Sequence, residues 1–480
     1  MPVSPAYRPD PRFPELGAEF ADPVMAEAFP QTILRFRNDR AAATVGLDTL
    51  TDDEWIAHFG RFEPLPGAID PPLAQRYHGH QFRVYNPELG DGRGFTFAQL
   101  REAGPEGSSE GRLLDLGTKG SGRTPWSRTA DGRLTLKGGV REVLATAMLE
   151  ALGVPTSRSF SLIETGEHLE RGDEPSPTRS AVLVRLSHGH IRFGSFQRHA
   201  FFERPDRLTA LTDHVVETYY PELAGANDRP VALFGAVVAR SARLTARWMA
   251  AGFVHGVLNT DNMNMTGESF DYGPYRFLPH NDPNFTAAYF DHAGLYSFGR
   301  QPEAVFWNLQ QLAGALSLTT GTEALVEALN GFGAAYRDEL TAAMLARLGV
   351  LPQHTEDDAA LVQAAFRAFA EGGERLRWEP FFFDWFCGGE ARALAGPRGD
   401  LYADDGFADF RRRLAAFAPD RPERLDDPYF ARPEPEELLV DQIEALWARI
   451  AEDDDWSAFH AKLAGIEVAR RAWGLPPQGA

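Results

Sequence analysis

From about residue 75 to 200 the chain alternates apolar and polar positions with a period of two. GFTFAQL (94–100), RLLDLGT (112–118), SFSLIET (159–165) and AVLVRLS (181–187) each read as a short strand. One stretch breaks this pattern. GGVREVLATAMLEALGVP (138–155) spaces its apolar residues at helical intervals, opens after Gly138-Gly139 and stops at Gly153, with Pro155 just beyond. RGDEPSPTRS (171–180) reads as a loop between two of the strands.

From about residue 205 the period lengthens to that of helices. Pro205 opens one helix that Pro221 ends, and Pro230 opens a longer one that Gly252 closes. Pro302 starts another, and Thr355 with Asp358 resembles an N-cap and its acidic third position. The first 60 or so residues are proline-rich, then acidic at Asp52, Asp53 and Glu54, and read as an extension wrapped on the main body. The pattern therefore predicts an α+β chain with an N-terminal extension (1–70), a β-rich lobe holding one helix (71–202) and a large helical lobe (203–480). A nucleotide cleft between two such lobes is a common arrangement.

Charge removes some function classes. The formal net charge is −20, from 48 basic and 68 acidic residues, whereas a protein that neutralises nucleic-acid phosphates carries the opposite balance. The chain has one cysteine, Cys387. It permits no intramolecular disulfide and no CxxC-type zinc site, and its aromatic setting, FFFDWFCGG, marks it as a packed core thiol. The opening MPVSPAYRPDPRFPELGAEF has no secretory pattern, and no apolar run nears the ~20 residues of a membrane span. The expectation is a cytoplasmic protein with neither nucleic acid nor membrane as partner.

Four segments carry candidate chemistry. LGDGRG (89–94) has three glycines that let backbone N–H groups approach phosphates. It is followed by a strand, so the dinucleotide fingerprint fails, leaving a phosphate-binding hairpin or an ordinary glycine-rich one. Lys119, near a strand end, and Glu142, in the lone helix, have the types of a kinase Lys–Glu pair; by themselves they better suit a solvated surface. Arg93, Arg185 and Arg192 suit bidentate phosphate contact, or strand-face ion pairs.

The fourth segment, HGVLNTDNMNMTGESFDYGPY (255–275), is the most specific. Asn262 and a following Asp271-Tyr-Gly, delivered by two short strands around a Gly267-Glu268 turn, supply two oxygens for Mg²⁺, which prefers few protein ligands plus phosphates. Laid on the kinase pattern H-R-D-x-x-x-x-N, His255 and Asn262 match, but Val257 stands where a kinase keeps its catalytic Asp. A carboxylate appears instead at Asp261, beside the metal ligand, as a candidate base. His188 and His190, two apart and so on one strand face, lack a third metal ligand and read as structural.

YHGHQF (77–82), LGDGRG, KGSGRTPWSRTADGR (119–133), REVLATAM (141–148), AVLVRLSHGHIRFGSF (181–196), HGVLNTDNM (255–263), DYGPYRFL (271–278), DPNF (282–285) and WNLQQLAGAL (307–316) together resemble the selenoprotein O (YdiU) family, over roughly residues 75 to 320. The resemblance implies a kinase-like fold. It also implies transfer of AMP from ATP to Ser, Thr or Tyr hydroxyls of proteins with release of pyrophosphate; UMP transfer from UTP, with Mn²⁺ in place of Mg²⁺, is attributed to the bacterial branch. By position it implies that Gly90, Gly92, Arg93, Lys119, Asp131, Gly132, Arg185, Arg192 and Asp271 contact nucleotide. Glu142 pairs with Lys119, Asn262 and Asp271 hold the metal, and Asp261 accepts the proton. Asp131 and Gly132 rest on the resemblance alone. In the family ATP lies flipped relative to kinases, with the basic cluster on its outer phosphates. The chain departs from the family at RVYNPE (83–88), and its last eighty or so residues match little. The remaining alternatives are a kinase transferring the γ-phosphoryl group and an inert ATP-binding scaffold. A monomer is expected.

Overall fold

The structure, a computed structural model, describes residues 4–104, 111–172 and 174–475. It is an α+β protein with ten strands early in the chain, eight of them in one main sheet. These are β1 (Ala21–Pro23), β2 (Ile33–Arg37), β3 (Leu73–Gln75), β4 (Gly79–Gln81), β5 (Val84–Asn86), β6 (Thr96–Arg101), β7 (Leu113–Lys119), β8 (Leu134–Thr135), β9 (Arg158–Leu169) and β10 (Thr178–Ser187). The main sheet runs β1-β3-β6-β7-β10-β9-β2, with β8 also pairing β10; β4 and β5 pair only with each other. Every named pair is antiparallel.

Both faces of the sheet are covered. Helices α1 (Asp39–Ala43) and α2 (Asp52–Phe59), from the first 70 residues, bring Ala41, Trp55 and Phe59 against Leu114, Leu116, Val184 and Leu186. Helix α3 (Leu136–Ala151) covers the opposite face, packing Val140, Val143 and Leu144 near Leu113, Leu162 and Leu183. This explains why β7 is buried along its whole length. The period-two rule then has a consequence for the site: Leu113 and Leu183 face α3, so Lys119 and Arg185, at even spacing from them, face α3 as well. The register, Leu183 opposite Lys119 and Arg185 opposite Gly117, sets the two cations side by side.

α3 starts earlier than its glycines suggest. The Thr135 side chain accepts from the Gly138 N–H, which caps the helix and puts both glycines in its first turn. A Cβ on Gly139 would lie 2.4 Å from Leu162 Cδ1, so glycine is needed there for close approach to the sheet.

The helical part begins with α4 (Phe193–Phe201), α5 (Pro205–Tyr219) and α6 (Arg229–Ala250), followed by α7 (Gln301–Leu316), α8 (Thr322–Asn330) and α9 (Phe332–Leu348). α6 is its axis and packs against α5, α7, α8 and α9. α10 (Thr355–Gly372) and α11 (Trp378–Trp385) belong to a second core rich in aromatics, with Phe369 stacked on Trp378 at 4.5 Å. Helix Ser457–Trp473 returns to pack on α3. Between α6 and α7 a two-stranded ribbon, Phe253–Val254 with Arg276–Phe277, frames the loop 255–275.

Three local expectations are corrected. Residues 88–95 are not a hairpin turn: β5 turns back on β4, and β6 pairs with β3 and β7. Residues 263–270 form no pair of strands, because Asn264 bridges to Arg192 and Ser269 to Thr156. His188 and His190 share no strand face, since β10 ends at Ser187 and Gly189 takes φ 90°.

Cys387 is buried, as its aromatic surroundings suggested, and burial pushes its thiol up to about 11. Its alkylation by iodoacetamide at pH 8 is expected to run at least ~100-fold slower in native protein than in denaturant, because the thiolate is the nucleophile. Equal rates would contradict this.

Candidate active site

The sheet and the 255–275 loop meet at a cleft of about 650 Å³. Lys119, the last residue of β7, donates to Glu142 Oε2 at 2.5 Å and lies 2.6 Å from Asp271 Oδ1. Arg185 approaches the same two carboxylates, 3.7 Å from Glu142 and 3.6 Å from Asp271. Glu142 is fully buried on α3, behind the lysine. Asp271 takes φ 63°, a left-handed conformation that turns its carboxylate back toward these cations. Burial would raise its carboxyl, but Lys119, Arg185, Arg93 and Arg192 together hold it well below the usual range.

Arg192 precedes α4 and is fixed on every side. Its guanidinium donates to the Asp261 carbonyl at 3.0 Å and to Asp91 Oδ1 at 3.1 Å, between the rings of Tyr77 (4.4 Å) and Phe270 (4.9 Å). Such packing leaves the side chain few rotamers to lose on meeting a phosphate.

Asp261 sits in the short turn Thr260–Asn262. No cation is within ion-pair distance of its carboxylate among the described residues, and Oδ1 has no hydrogen-bond partner there. Burial, only partly opposed by Arg192, pushes its carboxyl up to about 6. A Cβ on Gly79 would come within 3.1 Å of that oxygen, so the glycine makes room for it. Asn262 donates its amide N–H to the Val257 carbonyl at 2.9 Å, which leaves its side-chain oxygen for another partner. His255 lies beneath the loop, where its Nε2 meets the Phe270 carbonyl at 3.1 Å and ties the two loop ends together.

The glycine loop forms the roof. A Cβ on Gly90 would lie 2.3 Å from Trp126, and one on Gly92 2.8 Å from the Trp126 carbonyl. These glycines let residues 89–94 press against the 124–127 turn. Asp131 and Gly132 lie farther out, where Asp131 accepts from Arg171 at 2.8 Å. Among the described residues no group of three or more His, Cys, Asp or Glu is arranged to hold a metal. An ionised carboxylate and a free amide oxygen, Asp271 and Asn262, fit a hard cation that takes its other ligands from phosphates and water.

The profile of the family described as Protein adenylyltransferase SelO matches residues 6–386 of this chain. The chain belongs to that family. Relatives named Protein nucleotidyltransferase YdiU include one from Synechococcus elongatus, 45% identical over 95% of this chain and 94% of its own. One from Synechocystis is 52% identical over 71% of this chain and 70% of its own. A third, from Trichodesmium erythraeum, is 42% identical over 95% of this chain and 98% of its own. The SelO likeness thus reaches well beyond residues 75–320, to both sides. The chain is a member of a family of protein nucleotidyltransferases.

Gly90, Gly92, Arg93, Lys119, Asp131, Gly132, Arg185, Arg192, Asp261, Asn262 and Asp271 all line this one cleft in the SelO-family chain. Sequence reasoning missed Tyr77, Asp91 and Phe270, which hold Arg192. Asp91 was within reach as the acid inside LGDGRG; nothing local marks Tyr77, whose ring matters only because Arg192 lies against it.

Proposed function

We propose that this protein transfers AMP from ATP to Ser, Thr or Tyr hydroxyls of other proteins, with UTP and UMP as the alternative pair. The supporting observation is the separation of charge in the cleft. Lys119, Arg185 and Arg192 gather within 4.0 Å of Asp271, while the Asp261 carboxylate, in the same cleft, is paired with no cation among the described residues. We read 71–202 and 203–480 as the two lobes of a kinase-like fold with 1–70 as its extension, and the enzyme as a cytoplasmic monomer. Among the described residues no helix is long and apolar enough to cross a membrane.

In this reading Lys119, Arg185 and Arg192 hold the outer phosphates, and Arg93 with Gly90 and Gly92 closes over them. Asn262 and Asp271 would hold Mg²⁺ or Mn²⁺, which when bound supplies positive charge to the phosphate oxygens. Asp261 accepts the proton of the acceptor hydroxyl as its oxygen bonds to the α-phosphorus. The bond from that phosphorus to the bridging oxygen breaks, and pyrophosphate leaves with its charge already balanced by the three cations. Val257 stands where a kinase has its base, which argues against transfer of the γ-phosphoryl group.

The test is the position of label. Protein is expected to acquire ³²P from α-labelled ATP and none from γ-labelled ATP. Label from the γ position alone makes the protein a kinase, and no label from any nucleotide across a panel of acceptor proteins makes it a scaffold.

A further inference from the structure

Behind the loop joining Asn262 to Asp271 lies a second cavity, of about 690 Å³, which the transfer reaction does not use. Arg240, Arg243 and Arg247 on α6 stand at i, i+3 and i+7, hence on one helix face, and all three line it. Arg101 and Arg112, at the facing ends of β6 and β7, line it from the other side. Among the described lining residues the carboxylates are Glu217 and Glu268.

The neutralisation of these cations is uneven. Arg101 pairs with Asp10 at 2.7 Å, Arg112 with Glu102 at 2.9 Å and with Glu268 at 3.8 Å, and Arg243 with Glu339 at 3.0 Å. Arg240 lies 3.9 Å from Glu222, with its guanidinium over the Tyr220 ring. Arg247 donates to the Gly153 carbonyl at 2.6 Å, and among the described residues no carboxylate lies within ion-pair distance of it. Burial and then the neighbouring Arg243 lower its pKa, the mark of a cation short of negative charge. Like charges at this helical spacing repel. In a chain of net charge −20, carboxylates are in surplus elsewhere, yet here guanidiniums face a cavity together.

We propose that this cavity is a second anion site, taking a small molecule that carries two or more linked phosphates. Guanidinium forks bind phosphate oxygens in pairs, and several forks around one cavity favour a ligand with more than one phosphate. The volume lies within the range of small-molecule sites. The far wall is Thr266, Gly267 and Glu268, so a ligand held there touches the segment that leads to Asp271. The site stands independently of the reaction proposed for the cleft.

Calorimetry of the intact protein with inorganic pyrophosphate, in the absence of divalent cations, is expected to resolve two sites, the cleft and this cavity. Arg240→Gln/Arg247→Gln should remove one and leave the other. Arg243→Glu, on a side chain 43% exposed, places a second carboxylate beside Glu339 and should weaken that same site by about tenfold or more. Pyrophosphate binding to the intact protein that loses no site in Arg240→Gln/Arg247→Gln, or that survives Arg243→Glu unchanged, overturns the proposal. Orthophosphate binding the cavity as tightly as pyrophosphate overturns the preference for linked phosphates.

Discussion

Asp271→Ala is expected to lower turnover by about 10³-fold or more while leaving metal-free ATP binding unchanged or tighter. The carboxylate has two tasks that pull in opposite directions. In the proposed reaction it would offer an oxygen to the divalent cation, and in the structure it balances Lys119 at 2.6 Å, Arg185 at 3.6 Å and Arg192 at 4.0 Å. Its loss removes the charged half of the Asn262–Asp271 pair, and the transition-state charge that a metal stabilises is worth several kcal/mol. The same loss leaves three cations facing an empty place, which phosphate oxygens fill well. Calorimetry with and without Mg²⁺, beside incorporation of α-label, checks both halves. If Mg²⁺ still strengthens ATP binding in Asp271→Ala as much as in the parent, Asp271 is not a metal ligand.

Asp261→Asn should lower turnover by about 10² to 10⁴ and change ATP affinity by less than about threefold, the range expected for loss of a positioned base. The amide keeps the shape that Gly79 accommodates, so the turn Thr260–Asn262 is preserved. No cation holds the Asp261 carboxylate in an ion pair among the described residues, so removing its charge leaves no buried cation stranded. Arg192 touches residue 261 only through the backbone carbonyl, which the substitution retains. Loss of ATP affinity in step with turnover would show instead that Asp261 binds nucleotide.

Much of this site was legible because it depends on strand parity and short spacing. Lys119 and Arg185 fall on the face covered by the lone helix, whereas the pairing of Lys119 with Glu142 was implied only by the family resemblance. The Asn262 and Asp271 pair was likewise carried by one local segment. The glycine loop was misread because glycines announce a tight approach without naming the partner, here Trp126, which comes more than thirty residues later. The loop 263–270 failed for the same reason: its backbone partners, Arg192 and Thr156, lie far away in sequence. β1 and β2 went unread because three and five residues are too short for a period to show. Arg192 was identified, but its clamp of Tyr77, Phe270 and Asp91 exists only after folding.

The two ends of the sheet's strand order are β1 and β2, which precede the sheet's other strands in the chain. Ile33 pairs with Glu164, and Ala21 with Gln75. Neither strand has a neighbour nearby in sequence, so the earliest part of the chain must wait while more than a hundred residues emerge before β9 exists to receive β2. Loop closure over such separations slows folding. Until it happens, β9 presents an open row of backbone donors and acceptors to any other chain. The order of synthesis and the order of assembly therefore run against each other, and the period of greatest exposure to intermolecular strand pairing falls between completion of β9 and the arrival of β2.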